Sequence, residues 1–154
     1  MAKFDLSKEA RNLVVVGEIV GDDDIPEIPI CAGGFPTFLM AEFKDSDAAV
    51  LYRGAQIWHR GLASQLALCD GTIEHGAPPS VHRVQQLESF GVQRYGIVQV
   101  TSEELLATYN TLTEARACIE HSRKTGHGVG IFVAAKFHLL RVAMTVIGVV
   151  LDEY

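Results

Sequence analysis

Residues Gly128 to Arg141 read GVGIFVAAKFHLLR, an apolar run from Val129 to Val133 pinned between glycines on one side and a helix-like segment carrying Lys136, His138 and Arg141 on the other. A short, unbroken apolar run of this kind suits a strand buried on both faces, and such strands belong to parallel sheets covered by helices. The segment after it delivers polar side chains at the strand's carboxyl end. Ligands collect there in open α/β sheets, because loops converge and helix N-termini offer free N–H groups.

The same alternation extends upstream. Ile28 to Ala32 is a short apolar run with Pro29 near its start and Gly33-Gly34 directly after it, which reads as a strand and a tight turn. Asp47 to Arg60 carries a helical stripe of Ala48, Leu51, Ala55 and Trp58, with Gly61 placed to end it. Leu66 to Cys69 reads as the next strand, closing on Asp70-Gly71. After an irregular loop from Thr72 to Ser80, Val81, Val84, Leu87 and Phe90 mark a helix face that Gly91 terminates. Ile97 to Val100 makes a third strand, and Thr101 with Glu104 fits a capping box opening a long helix to Lys124. The run from Val129 is the fourth strand, followed by a helix over Phe137 to Ile147, a stop at Gly148 and an edge strand at Val149 to Leu151.

At the amino end, Leu6, Ala10, Leu13, Val14, Gly17 and Val20 recur at three and four, the period of a helix, although the valines also permit a strand, and the acidic run Asp22-Asp23-Asp24 with Pro26 closes the segment. These elements predict one α/β domain over residues 1–154: an N-terminal helix and acidic turn through residue 25, then a sheet core over 28–152. The sheet is expected to be mainly parallel and five-stranded, in the order 3-2-1-4-5, with helices on both faces.

Composition narrows the function. The chain has 154 residues and a formal net charge of -6, so it lacks the basic footprint that phosphate-backbone binding requires, and nucleic acid is not an expected partner. No apolar run reaches the roughly 20 residues that cross a bilayer, and the amino terminus MAKFDLSKEA has no signal-peptide core, which points to a cytoplasmic protein. Cys31, Cys69 and Cys118 are odd in number and scattered, as expected of reduced thiols. The six histidines form neither HxxxH nor HExxH, so no metal is expected. A homo-oligomer is compatible with all of this.

Two constellations carry potential chemistry. In TYNTLTEA, the residues Thr108, Asn110, Thr111, Thr113 and Glu114 load a supposed helix interior with short polar side chains that compete for backbone hydrogen bonds. Either the true helix begins near Thr108, or the cluster faces a polar pocket, or it is an exposed Thr-rich face. Further on, His138 and Arg141 lie three apart and share a helix face. Arg supplies a planar fork for phosphate or carboxylate, and His titrates near neutrality and can carry a proton.

Taken in order, these segments resemble the YdcF/SanA-like family, a Rossmann-like domain family of unknown function, from about Ile28 to Gly148. The resemblance rests on the glycine turn Cys31-Ala32-Gly33-Gly34, the helix pattern Arg53, Ala55, Ile57-Trp58 and Gly61, the strand end Cys69-Asp70-Gly71, and Gly91-Val92. It also rests on the string Thr108, Asn110, Thr111, Thr113 and Glu114, and on Ala134 to Arg141, where the family has Thr-Ser-x-x-His-x-x-Arg. Ala134 and Ala135 replace two hydroxyls of that last motif.

The resemblance implies a Rossmann-like three-layer sandwich with a pocket at the strand carboxyl ends, lined by Gly33, Gly34, Asp70, Gly71, Thr108, Asn110, Thr111, His138 and Arg141. A small anionic or nucleotide-like ligand is the expected occupant, and the resemblance allows S-adenosylmethionine as a cofactor. The alternatives are a hydrolase or transferase acting on a phosphorylated substrate with His138 as the proton carrier, and a non-catalytic interaction module.

Overall fold

The computed structural model describes residues 13–17, 34–41, 47–127 and 130–153. Its strands are β1 (Leu13–Gly17), β2 (Phe35–Leu39), β3 (Ala63–Cys69), β4 (Ile97–Val100) and β5 (Gly130–Ala134). Its helices are α1 (Asp47–His59), α2 (Ser80–Ser89), α3 (Glu103–Ala107), α4 (Thr111–Lys124) and α5 (Lys136–Glu153).

The core of the fold is a parallel sheet in the order β5-β2-β3-β4, with Phe38 opposite Phe132, Thr37 opposite Leu66, and Ala67 opposite Val98. β1 pairs in parallel with the free side of β5, Val15 opposite Phe132. Strand pleating sends alternate side chains to opposite faces. Phe35, Leu39, Leu66, Leu68, Ile131 and Val133 thus join α1 and α2 in one apolar cluster. Phe38, Met40, Ala67, Cys69, Phe132 and Ala134 join α3, α4 and α5 in another. A sheet buried on both faces needs apolar residues at successive positions, which is why β2 and β5 are buried throughout.

Four expectations need correction or qualification. Leu13–Gly17 is a strand and not part of a helix: Val14, Val15 and Val16 are β-branched, and pairing with β5 outweighs the weak period of three and four. The rest of the proposed N-terminal helix, and the strand expected at 28–32, fall outside the described residues. The described strand follows the Gly33-Gly34 pair and starts at Phe35. Val149 to Leu151 is helical, because the buried face Val142, Val146 and Val149 continues past Gly148 at helical spacing. The edge position beside β5 belongs to β1.

The long helix expected to run to Lys124 is two helices. Ser102 caps α3 by accepting the Leu105 N–H at 3.1 Å. The chain then extends through Thr108 and Tyr109, and α4 begins afresh after Asn110. Asn110 Oδ1 accepts the N–H groups of Leu112 and Thr113, each at 3.0 Å, and Thr113 Oγ1 takes the Asn110 N–H at 3.0 Å, a reciprocal capping box. The crowding of Thr and Asn in TYNTLTEA marks this new helix start.

Candidate functional site

Parallel order brings the carboxyl ends of β2, β3 and β5 to one rim, and α1, α4 and α5 all begin there. At its centre is Glu114, in the first turn of α4 and only 2% exposed. Its Oε1 accepts two hydrogen bonds, from the Ala41 N–H just beyond β2 at 3.0 Å and from the Tyr109 hydroxyl at 2.8 Å. Burial pushes the carboxyl up to about 7, while those hydrogen bonds and the charges of Arg83 and His138 pull it back. With Oε1 occupied by two donors, the proton of the neutral form falls to Oε2.

Arg83 is the buried cation of the rim. Its Nε pairs with Asp47 Oδ2 at 3.1 Å and its Nη2 donates to the Leu39 carbonyl at 3.2 Å, so it ties α2 to the start of α1 and the end of β2. Its Nη1 is buried with no hydrogen-bond partner among the described residues, as is Asp47 Oδ1. An idle N–H on a buried guanidinium is costly unless something takes it.

Tyr109 lies against Gly71, whose missing side chain leaves room for the ring; a methyl group there would collide with Tyr109 Cδ2. Burial and the neighbouring Glu114 carboxylate raise the phenol far above its usual range, so it acts as a donor and stays protonated. On the other side of the rim, Thr111 Oγ1 and His138 Nε2 are 3.1 Å apart, joining the first turns of α4 and α5. Behind Glu114, Cys69 Sγ sits 3.5 Å from Cys118 Sγ, and the Cys118 contact together with burial drives the Cys69 thiol upward.

The structure brings some of the expected site residues together. Asp70 and Gly71 close β3 at this rim, with the Asp70 N–H extending the ladder to the Val100 carbonyl at 2.8 Å. Thr111 and His138 meet directly. Asn110 spends its side chain on the α4 cap, and the Thr108 carbonyl accepts from Thr113 Oγ1 at 2.8 Å. Arg141 is exposed, one turn along α5 from His138.

Gly34 lies at the other end of the sheet. Its φ of +73° and its contact with the start of β3, where a Cβ would come within 2.8 Å of the Leu62 carbonyl oxygen, make it a strand-entry turn and not a pocket lining. Gly33 falls outside the described residues.

From sequence, Glu114 is only one of a polar cluster with no place in the pocket, and Tyr109, Arg83 and Asp47 are missed at this rim. Glu114 follows its cap Asn110 by one turn, a spacing that turns it inward. Arg83 is buried beside Val84 in a helix whose apolar pattern gives no hint of a cation.

Among the described residues no group of three or more His, Cys, Asp or Glu side chains is arranged to hold a metal, and no helix is long and apolar enough to cross a membrane. Comparisons with known proteins find no matching family model, no matching curated protein and no matching solved structure.

Proposed function

We propose that the chain is a Rossmann-like domain with a five-stranded sheet, of the YdcF/SanA-like kind, that binds a small anionic or nucleotide-like ligand at the strand carboxyl ends, S-adenosylmethionine included. The observation that carries the reading is the idle Nη1 of Arg83, a buried guanidinium N–H at the rim where α1, α4 and α5 begin. Helix N-termini and a guanidinium both favour an anionic group, and Arg presents it with a planar fork. His138, tied to Thr111, adds an imidazole to the rim, and the exposed Arg141 carries positive charge one turn further along α5.

Isothermal titration with S-adenosylmethionine, nucleoside monophosphates and inorganic phosphate tests this. The expected result is one-to-one binding by at least one probe, weakened at least tenfold in His138→Ala and in Arg141→Ala. Absence of heat across the panel, with the protein folded by circular dichroism, overturns it.

A second reading has one specific support. A buried carboxyl titrating at about 7, within electrostatic reach of a histidine, has the properties of a general acid or base. In that reading Glu114 and His138 move protons in hydrolysis or transfer on a phosphorylated substrate. Turnover in a phosphoester and methyl-transfer panel that is lost in both Glu114→Gln and His138→Ala would establish it. Binding without turnover leaves the first reading alone.

A further inference from the structure

Helix α5 is apolar on two opposite sides. Val142, Val146 and Val149 are buried against the sheet and α4. On the opposite side, Phe137 (71% exposed), Leu140 (71%), Met144 (66%), Ile147 (44%) and Leu151 (41%) stand in solvent. Their spacing is three, four, three, four along the whole 18-residue helix. Scattered exposed apolar residues are ordinary, but a stripe repeating about every 3.5 residues over the whole helix is a face built to be covered, and a second helix lying along it covers it from end to end.

We propose that the chain is a homodimer in which α5 packs antiparallel against α5 of a second copy through Phe137, Leu140, Met144, Ile147 and Leu151. Three features select this occupant. The stripe is nearly symmetric about its middle, so turning the helix end for end lays large apolar residues against large apolar residues, as a two-fold interface requires. The helix is also polar end to end: Lys136 and Arg141 fall in its first two turns and Asp152 and Glu153 in its last. An antiparallel pair sets the basic end of each copy beside the acidic end of the other and opposes the helix dipoles, whereas a parallel pair stacks like on like.

Gly148, beside the stripe, supplies the third feature. A Cβ built there meets nothing within 4 Å, so it leaves a gap at the helix surface into which a side chain of the second copy fits. A lipid surface suits the helix less well. Membrane-lying helices set their apolar face opposite a strongly charged one, and here the opposite face is the core of the domain.

Sedimentation and light scattering of the full chain are expected to give twice the chain mass. Met144→Glu, at an exposed site near the two-fold axis, is expected to give the monomer with an unchanged circular dichroism spectrum. A monomeric native chain overturns the proposal, whether residues 1–12 or a vesicle covers the stripe instead. So does a dimer that survives both Met144→Glu and Ile147→Glu. Cysteine cross-linking reads the orientation, with the native chain under the same oxidant as control. Phe137→Cys and Leu151→Cys, which face one another when the pair is centred on Met144, are expected to form a covalent dimer when the two variants are mixed and not when each is oxidised alone. The reverse pattern overturns the antiparallel arrangement. All of these readouts are independent of any ligand.

Discussion

The hydroxyl of Tyr109 donates to Glu114 Oε1 across 2.8 Å, although the two residues belong to different segments, one in the extended link before α4 and the other in that helix's first turn. The Asn110 cap makes the contact, because it turns the chain so that the residue before it and the residue one turn after it face the same rim. Tyr109 then rests on Gly71 at the end of β3, and the Ala41 N–H reaches Glu114 from the end of β2. A backbone donor from the end of β2 and a side-chain donor from the link before α4 therefore converge on one carboxyl oxygen. Where the polar group is fully enclosed, such convergence offsets part of its desolvation and fixes its orientation.

Because the Tyr109 hydrogen bond favours the ionised carboxylate, removing it should raise the Glu114 pKa above its value of about 7. Tyr109→Phe keeps the ring against Gly71 and deletes only the donor. Carboxyl carbon chemical shifts followed through a pH titration should place the Glu114 midpoint higher in Tyr109→Phe than in the native chain. An unchanged or lower midpoint would mean that the phenol does not stabilise the charge.

Glu114 also makes stability depend on pH. Its carboxyl is raised from 4.5 to about 7 on folding, so between those values the native state holds a proton that the unfolded state has released. Its contribution is therefore favourable below pH 4.5 and is lost as pH rises through about 7, on the order of 3 kcal/mol in total. Glu114→Gln cannot titrate. Urea unfolding at pH 5 and pH 8 should show the native chain losing more stability than Glu114→Gln over this interval, and equal losses would contradict the burial of an ionisable group.

Parallel order was legible in the sequence from the alternation of strands and helices and, in the centre of the sheet, because a strand buried on both faces leaves an unbroken apolar run: Leu66 to Cys69 lies within β3, whereas the edge strand β4 coincides with Ile97 to Val100 and carries the exposed Gln99. The turns after α1 and α2 were legible through Gly61 and Gly91, both of which adopt positive φ. At Leu13–Gly17 the period of three and four favours a helix while the run of valines permits a strand, and only pairing with β5 settles the choice. The far end of α5 was misread because Gly148 looked like a stop, whereas Val149 holds the helix to the core. Of the site, His138, Thr111 and Asp70 were readable as polar residues at strand ends or helix starts. Arg83 was not, since its place depends on a partner 36 residues away, at the head of another helix.

Removing the α4 cap should be costly. Asn110 satisfies two N–H groups at the helix start, and Asn110→Ala leaves both without a side-chain acceptor. The expected loss is about 1 kcal/mol, with Asn110→Asp or Asn110→Ser recovering most of it. Denaturant midpoints for the four chains measure this. Because the same cap aims Tyr109 and Glu114 at one another, Asn110→Ala should also shift the Glu114 titration, and a loss of stability without that shift would separate the cap from the site.

The thiols of Cys69 and Cys118 are both buried, and the Cys69 thiol is held well above its usual pKa. Thiolate is the reactive form, so both should resist alkylation in the native protein and react once it is unfolded. Peptide mapping after iodoacetamide treatment, without and with urea, gives the contrast. Rapid native labelling at either position would show that the core behind Glu114 opens readily.

The Arg83–Asp47 pair tests whether the rim is built around a charge or only around shape. Arg83 has 3% of its side chain exposed and Asp47 has 16%, so the pair is shielded from solvent and cutting it leaves a guanidinium enclosed without its counter-charge. Asp47→Ala should therefore cost about 3 kcal/mol, in the range seen when one partner of a buried ion pair is removed. Arg83→Met removes the cation and should cost less than Asp47→Ala, because the carboxylate it leaves behind is the more exposed partner and sits in the first turn of α1, where the helix dipole favours it, and the hydrocarbon still fills the space between α2 and β2. The double variant should resemble Arg83→Met alone, a coupling that urea denaturation of all four chains resolves. If the two losses instead simply add, Asp47 does not neutralise Arg83. If Arg83→Met proves as stable as the native chain yet no longer binds a ligand that the native chain takes, the guanidinium is retained at the rim for recognition and not for folding.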